Sequence, residues 1–239
     1  MSGHSKWATI KRQKGANDAK RGALFTKISK GITIAVQQGG GIADPAQNFK
    51  LRLAMDAARA ANMPKDTIER AIEKALGKNA ASLEEAMYEG FGPAGIGIMV
   101  EAATDNKNRT TSEIANIFNK NGGNMGQPGS VSYQFKQVGS IVVDKGNKSL
   151  DDIFLEAADA GAEDVEEGEG EFFIYTQPSD LAKVREALLQ KGLEVKETEL
   201  IWQPTITMPA DDETGERILS IMEKLEDLDD VQKVYTNLA

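Results

Sequence analysis

The chain has 239 residues, of which 40% are hydrophobic, and its formal net charge at pH 7 is −9. This composition is typical of a globular protein and is too apolar for a chain that is disordered throughout. With no cysteine and only one histidine, the sequence excludes a disulfide framework, thiol catalysis, cysteine-ligated zinc and any multi-histidine metal site.

The first 21 residues are predicted to form a basic arm. They contain six lysines and arginines against one acid, Asp18, and few apolar residues. Because like charges repel and little apolar surface offsets the cost of ordering, the arm is expected to be mobile. Residues 1–78 carry 15 Lys and Arg against 6 Asp and Glu, whereas residues 79–239 carry 13 against 31. A basic head on an acidic body predicts a head that binds a polyanion, most commonly nucleic acid.

Residues 22–78 are predicted to form a bundle of three helices. The glycines at 39–41 end the first helix, and Asp44 followed by Pro45 predicts the start of the second, with Asp44 as its N-cap. Pro64 separates the second helix from the third, and short connections of this kind predict antiparallel neighbours. The apolar stripes are Leu24, Ile28, Ile32 and Val36 in the first helix, Phe49, Leu53 and Ala57 in the second, and Ile68, Ile72 and Leu76 in the third.

Beyond Gly77 the pattern changes to strands mixed with helices. Strands are predicted at 96–100 and 131–135, on either side of a helix that begins with a capping box of Thr110 and Glu113. Between residues 137 and 204 a complete βαββαβ order can be followed, which is the ferredoxin-like unit.

The C-terminal residues are predicted to complete the first, unfinished pattern. A strand at 205–208, a helix carrying Ile218, Met222 and Leu225, and a strand at 231–235 would add the missing βαβ half. The expected fold is therefore α+β, with a three-helix bundle followed by two ferredoxin-like units, one inserted into the other. The expected domains are a basic arm at 1–21, a helical bundle at 22–78, a split α+β domain at 79–136 plus 205–239, and an inserted α+β domain at 137–204.

Few residues favour enzymatic chemistry. The glycine clusters lack the Lys-Ser/Thr and the helix start that a phosphate-binding loop needs. The only histidine, His4, lies in the predicted mobile arm, whereas a catalytic base needs a rigid setting. The acidic run of Glu226, Asp227, Asp229 and Asp230 is expected to be a solvated face, and Phe173 is expected to pack in the core and not to stack on RNA. No catalytic residue, metal site or cofactor is predicted.

The arm and the bundle therefore contain the candidate nucleic-acid contacts. Basic side chains can pair with phosphates, and Trp7 can stack on a base or instead fix the arm to the bundle. Lys50, Arg52 and Arg59 would extend the positive surface along the helices. The predicted nucleic-acid-binding residues are His4, Lys6, Trp7, Lys11, Arg12, Lys14, Lys20, Arg21, Lys27 and Lys30.

Several motifs in order resemble one known family. They are GHSKWATIKRQKGANDAKRGALFTK, ANMPKDTIERAI, YEGFGPAGIGIMVEAATDNKNRT, NGGNMGQPGSVSYQF and LEDLDDVQKVYTN. Together they resemble the YebC/PmpR family, whose eukaryotic relative is the mitochondrial translational activator of cytochrome c oxidase. The resemblance implies a cytoplasmic bacterial protein with a helical domain and two α+β domains, and places the basic motif on Lys6, Lys11, Arg12, Lys14, Lys20, Arg21 and Lys27.

The resemblance and the charge pattern lead to a functional hypothesis. The chain is expected to be a non-enzymatic DNA-binding transcriptional regulator. The alternative is a ribosome-associated translation factor whose arm contacts ribosomal RNA while the acidic domains contact protein. An enzyme of unknown reaction is the third possibility. No apolar stretch of membrane-spanning length and no secretory signal is evident, so no membrane partner and a cytoplasmic location are expected.

Overall fold

The computed structural model describes residues 18–77 and 83–239, with the backbone alone for residues 18–20. These residues form seven α-helices and two four-stranded antiparallel sheets, which confirms the predicted α+β class. They divide into two compact units. The inserted unit is residues 136–203, and the main unit is the remainder of the described chain, up to residue 135 and from residue 204 onward.

The N-terminal part of the main unit is a bundle of α1 (Asp18–Gln38), α2 (Phe49–Ala60) and α3 (Lys65–Leu76). Ile32 and Val36 of α1 pack with Leu51 of α2 in its buried core. The predicted stripes of α1 and α3 fail only at helix ends, where Leu24 and Leu76 are 43% and 51% exposed. The predicted stripe of α2 is wrong, because Ala57 is exposed and the buried residues of this helix are Leu51 and Ala58. Because α1 is already helical at Asp18, residues 18–21 belong to this helix and not to a mobile arm.

The connection between α1 and α2 differs from its prediction. Asp44 is not the N-cap, because residues 45–47 form a turn in which the Asp44 carboxylate accepts a hydrogen bond from the Ala46 amide at 2.9 Å. The N-cap is Asn48, whose side-chain oxygen accepts from Leu51 N at 3.0 Å. The Asp-Pro pair favours a turn as readily as a helix start, and here the turn forms.

The sheet of the main unit contains β1 (Glu84–Phe91), β2 (Gly97–Thr104), β3 (Asn124–Met125) and β8 (Val231–Thr236), in the order β3-β1-β2-β8. The helices α4 (Lys107–Lys120) and α7 (Asp212–Glu226) pack on this sheet and on each other. This spatial order is ferredoxin-like. However, the strand between β3 and β2 is β1, which precedes both of them in the chain and joins β2 as a hairpin.

Two predicted strands of this sheet are wrong. Residues Ser132–Gln134 form a 3₁₀ turn and not a strand, because the buried Glu89 carboxylate accepts hydrogen bonds from the amides of Gly129, Val131 and Ser132. Those amides are thereby diverted from strand pairing. Residues 205–208 contribute only one isolated bridge, between Met208 and Leu238, and β1 occupies the position assigned to them. The sequence of β1, EEAMYEGF, has three glutamates and no β-branched residue, so its composition does not indicate a strand.

The start of α4 also differs from its prediction. The N-cap is Asn106, whose side-chain oxygen accepts a hydrogen bond from Arg109 N at 3.1 Å. Thr110, predicted as the cap, is instead a fully buried residue of the first helical turn. Its hydroxyl is used in a tertiary contact with Asp230, which local sequence could not indicate.

The inserted unit contains β4 (Phe135–Asp144), α5 (Leu150–Ala160), β5 (Asp164–Glu167), β6 (Glu171–Thr176), α6 (Leu181–Gln190) and β7 (Val195–Pro204). Its sheet order β5-β6-β4-β7 is that of the predicted ferredoxin-like unit. β4 and β6 pair antiparallel from Gly139 opposite Thr176 to Asp144 opposite Glu171. Phe172 and Phe173 of β6 are 0% and 2% exposed, which confirms that they pack in the core and cannot stack on bases.

Candidate nucleic-acid interface

Most of the predicted nucleic-acid contacts lie outside the described residues. His4, Lys6, Trp7, Lys11, Arg12 and Lys14 precede residue 18, and for Lys20 only its place in the backbone of α1 is described. The structure describes the side chains of Arg21, Lys27 and Lys30, which follow one another along α1.

The three described candidates have different surroundings. The Arg21 guanidinium lies over the ring of Phe25, 5.9 Å from its centroid. The Lys27 ammonium donates a hydrogen bond to the carbonyl of Glu226 at the end of α7. Lys30 donates to the carbonyl of Asp229 at 2.9 Å and to Asp230 Oδ1 at 2.6 Å. Lys27 and Lys30 thus connect the bundle to the C-terminal turn of the main unit.

Asp230 is the centre of a polar cluster in the main unit. Its side chain is 4% exposed and lies in the turn between α7 and β8. The Arg109 guanidinium is 2.6 Å from Asp230 Oδ2, and the hydroxyls of Thr110 and Thr104 are 2.7 and 3.1 Å from the same oxygen. Both carboxylate oxygens are therefore hydrogen-bonded, Oδ1 to Lys30, and Oδ2 to the end of β2 and the start of α4. The prediction that the whole acidic run is a solvated face is wrong for this residue.

The ionisation of Asp230 reflects two opposing effects. Burial raises the pKa of a carboxyl group, because a charge loses its hydration. Hydrogen bonds from Lys30, Arg109 and Thr110 outweigh burial and lower the pKa of Asp230 well below its ordinary value. The hydrogen bonds to Asp230 and Asp105 in turn raise the pKa of Arg109. The cluster is thus a charged one, in which Asp230 fixes the positions of Lys30 and Arg109.

A groove of about 440 Å³ lies between α1, α3 and the start of α4. We call it the basic groove. Among the residues that the structure describes, four cationic side chains line it and Asp105 is the one acid, with its carboxylate 2.9 Å from the Arg109 guanidinium. The lining residues are Thr26, Ser29, Lys30 and Thr33 of α1, Thr67, Arg70, Ala71 and Lys74 of α3, and Leu83, Asp105 and Arg109.

The α3 wall of the basic groove presents the more available cations. Arg70 and Lys74 are exposed and lie one helical turn apart, so they share one face of α3. Arg70 donates to the carbonyl of Asp66 at 3.0 Å and to the hydroxyl of Thr67 at 3.3 Å. The structure records no hydrogen bond or ion pair from the Lys74 ammonium to a described residue.

The basic residues expected to extend the positive surface are engaged locally. Lys50 donates to the side chain of Gln38. Arg52 donates to the carbonyls of Pro45 at 3.0 Å and Ala46 at 3.2 Å. Arg59 pairs with Asp56 at 3.0 Å. None of the three lines the basic groove.

Within 18–77 and 83–239, no group of three or more histidine, cysteine, aspartate or glutamate side chains lies close enough together to hold a metal ion. In the same part of the chain, no helix has the length and apolar character needed to cross a membrane.

Sequence reasoning missed Arg70, Lys74, Arg109 and Asp230. A signal for the first two was present, because Thr67, Arg70 and Lys74 recur at three- and four-residue spacing and so lie on one face of a helix. No local signal connects Arg109 with Asp230. These residues are 121 positions apart, and the pairing of β2 with β8 brings them together.

The chain matches two family models over nearly its whole length. Residues 5–78 match the model described as the TACO1/YebC protein N-terminal domain, and residues 83–238 match that of the TACO1/YebC second and third domain.

Similar proteins are found among both sequences and solved structures. A "Probable transcriptional regulatory protein" of Chloroflexus aurantiacus is 52% identical, with 100% of this chain and 95% of that protein covered. A protein of the same name from Treponema denticola is 50% identical, with 100% and 96% covered. The crystal structure of a conserved hypothetical protein from Aquifex aeolicus has a TM-score of 0.86 at 42% identity, and covers 93% of this chain and 91% of its own.

Proposed function

The chain belongs to the TACO1/YebC family, in which similar bacterial proteins are named probable transcriptional regulatory proteins, and from this we propose that it regulates gene expression by binding nucleic acid. It does so in the cytoplasm, as a DNA-binding transcriptional regulator without catalytic activity. The N-terminal arm and α1 supply the contacts, through the basic residues between Lys6 and Lys30.

One observation carries this proposal, namely the separation of charge along the chain. Residues 18–77 carry 10 Lys and Arg against 6 Asp and Glu, and residues 83–239 carry 13 against 31. Residues 1–17 add four more cations and no acid. A polyanion is attracted to the N-terminal region and repelled by the rest, so the charge pattern both selects the binding region and orients the ligand.

A second candidate function is a translation factor that contacts ribosomal RNA. The observation that favours it is the surface of the bundle. A helix that reads the DNA major groove places polar and basic side chains against the bases and phosphates. The exposed residues of α3 include Asp66, Glu69 and Glu73 beside its cations, so this helix is poorly suited to enter a DNA groove.

Crosslinking in cells followed by sequencing of both DNA and RNA distinguishes the two candidates. The transcriptional proposal predicts enrichment of promoter DNA over the untagged control. Recovery of ribosomal RNA without promoter DNA would replace it with the translation candidate. Recovery of neither nucleic acid above the control would contradict both.

Removal of residues 1–17 tests the role of the arm, because α1 is left complete. These residues contain four cations, Lys6, Lys11, Arg12 and Lys14. If all four contact phosphates, the log–log salt slope on a DNA duplex should fall by about 3 to 4, since each contact contributes about 0.9. The melting temperature should stay unchanged, because the buried core of the bundle lies within the described helices. A truncated protein with an unchanged slope would place the site elsewhere.

A further inference from the structure

We propose that the basic groove binds the phosphodiester backbone of the nucleic acid, with Arg70 and Lys74 in direct contact with phosphates. This inference rests on the proposed function and deepens it, because it adds a site on α3 to the contacts of the arm and α1. It concerns the main unit alone, where α1, α3 and the start of α4 all lie.

The charge of the basic groove selects an anion. Among the described residues, Lys30, Arg70, Lys74 and Arg109 line it, and Asp105 is the one lining acid. Lys30 and Arg109 are paired with Asp230, and Arg109 also with Asp105, so the net positive charge of the basic groove comes from Arg70 and Lys74. A concave surface with an excess of positive charge attracts an anionic ligand. The acidic residues of α3, Asp66, Glu69 and Glu73, are not among the described residues that line it.

The hydrogen-bonding capacity of Arg70 and Lys74 matches phosphate oxygens. Arg70 uses two of its five N–H donors within α3, which leaves three for a ligand. Guanidinium groups bind phosphate through paired hydrogen bonds, and an ammonium binds it as a compact charge. Since the two residues are one helical turn apart, they can contact neighbouring phosphates of one strand.

The opposite wall of the basic groove contains two more cations, Lys30 and Arg109. Their side chains are already held in place before a ligand binds. The Lys30 and Arg109 side chains are 20% and 45% exposed, and both are bonded to the buried Asp230. A side chain that is already fixed loses less conformational entropy when a ligand arrives. Asp230 is thus a positioning residue for the α1 and α4 side of the basic groove.

The remaining lining favours the backbone of a nucleic acid over its bases. Thr26, Ser29 and Thr33 donate their hydroxyl hydrogens to carbonyls one turn earlier in α1, so the cations are the main donors to a ligand. No aromatic side chain lines the described groove, and base stacking is therefore not available there. Phosphate contacts fix position and carry no sequence information. The basic groove should consequently bind different sequences about equally.

The test compares the full-length protein with the double variant Arg70→Ala/Lys74→Ala. The matched control is Lys65→Ala/Lys120→Ala, which removes the same charge from exposed positions outside the basic groove. Binding of a labelled DNA duplex and of a labelled single-stranded RNA is measured over a salt titration. The groove variant should lower the log–log slope by about 1.8 on the duplex and about 1.4 on the single strand, from about 0.9 and 0.7 per phosphate contact. The control should keep the wild-type slope on both.

The outcomes separate this inference from the proposed function. If the wild type binds and the groove variant keeps its slope, or if the control loses as much as the groove variant, the basic groove is not the site and the proposed function stands. If the wild type binds neither probe, the proposed function fails and the inference fails with it. Melting curves accompany each variant. Lys74→Gln serves as a milder second variant, which should lower the slope by about half as much as the double variant.

Discussion

Asp230 is a single side chain that three parts of the main unit share. It receives Lys30 from α1, Arg109 and Thr110 from α4, and Thr104 from the end of β2. A buried carboxylate with no partner is strongly destabilising, whereas one whose oxygens are hydrogen-bonded to cations and hydroxyls is tolerated. The cluster therefore stabilises one relative placement of the bundle and the sheet within this unit.

Asp230→Asn should destabilise the main unit. The amide removes the charge that Lys30 and Arg109 neutralise, and its NH₂ group cannot accept their hydrogen bonds. We expect the free energy of unfolding to fall by about 1–3 kcal/mol at neutral pH, the usual cost of leaving buried partners unsatisfied. Asp229→Asn is the control, because Asp229 is exposed and only its backbone carbonyl binds Lys30. Urea unfolding of both variants measures the difference, and equal effects would contradict the assigned role.

The destabilisation caused by Asp230→Asn should depend on pH in a direction that the pKa of Asp230 determines. The pKa of Asp230 is lower in the folded protein than in the unfolded chain, where it is about 3.9. The stabilisation is therefore fully present above that value and is lost as pH falls through the folded pKa. The stability gap between wild type and Asp230→Asn should be constant near neutral pH and should narrow below about pH 4. If the difference in stability between the wild type and Asp230→Asn grew as the pH fell, the pKa of Asp230 would be raised by folding and not lowered.

At the scale of elements, the connection between α1 and α2 depends on one buried amide. Besides capping α2, the Asn48 side chain donates to the carbonyl of Ala35 at 2.8 Å and to that of Ile42 at 3.0 Å. It lies so close to Gly39 that a Cβ atom there would be 2.2 Å from its Nδ2. The glycine at the end of α1 thus permits close approach of the cap of α2.

Asn48→Ala should consequently cost more than the loss of an ordinary cap. An N-cap contributes about 1 kcal/mol, and the variant also leaves the carbonyls of Ala35 and Ile42 without the hydrogen bonds that Asn48 donates. We therefore expect the free energy of unfolding to fall by about 2–4 kcal/mol. Asp44→Ala is the matched comparison, since Asp44 is exposed and serves only the turn. It should lower the free energy of unfolding by less than about 1 kcal/mol, within the range of exposed positions. If Asp44→Ala had the larger effect, the cap would be assigned to the wrong residue.

At the scale of the whole molecule, the domain limits remain a prediction that fragments can test. Residues 135–204 contain β4 to β7 complete, and their core, including Ile141, Ile153, Phe172 and Leu188, is fully buried. We expect this fragment alone to unfold cooperatively, since its core strands and helices are all internal. A fragment without a cooperative transition would show that the insert depends on the rest of the chain.

The complementary fragment, residues 79–136, should not fold alone. It contains β1, β2, β3 and α4, three strands of its sheet where the sequence predicted two. It nevertheless lacks β8, which pairs with β2, and α7, whose buried Ile218, Ile221 and Met222 belong to the core. Circular dichroism and thermal melting of the fragment measure this. A cooperative transition would contradict the split-domain arrangement.

The sequence predicted those parts of the fold whose signals are local. Apolar residues repeating every three or four positions located the helices, and alternating β-branched residues located β2, β4 and β8. It failed where a distant group decided the outcome. Ser132–Gln134 read as part of a strand, but Glu89 captures the neighbouring amides. The glutamate-rich β1 was missed, because its pairing with β2 and β3 outweighs its composition.

For the candidate site, the sequence by itself determined the distribution of charge, the absence of cysteine and the family resemblance, because each depends only on which residues are present and in what order. The four-residue spacing of Arg70 and Lys74 also puts them on one helical face, although the predicted nucleic-acid contacts did not include them. Only the tertiary structure decided that this face lies beside α1 and the start of α4, and that Asp230 fixes Lys30 and Arg109 there. The physical reason is that contacts 121 and 200 residues apart arise from the packing of the sheet against the bundle, and no local pattern in the sequence encodes that packing.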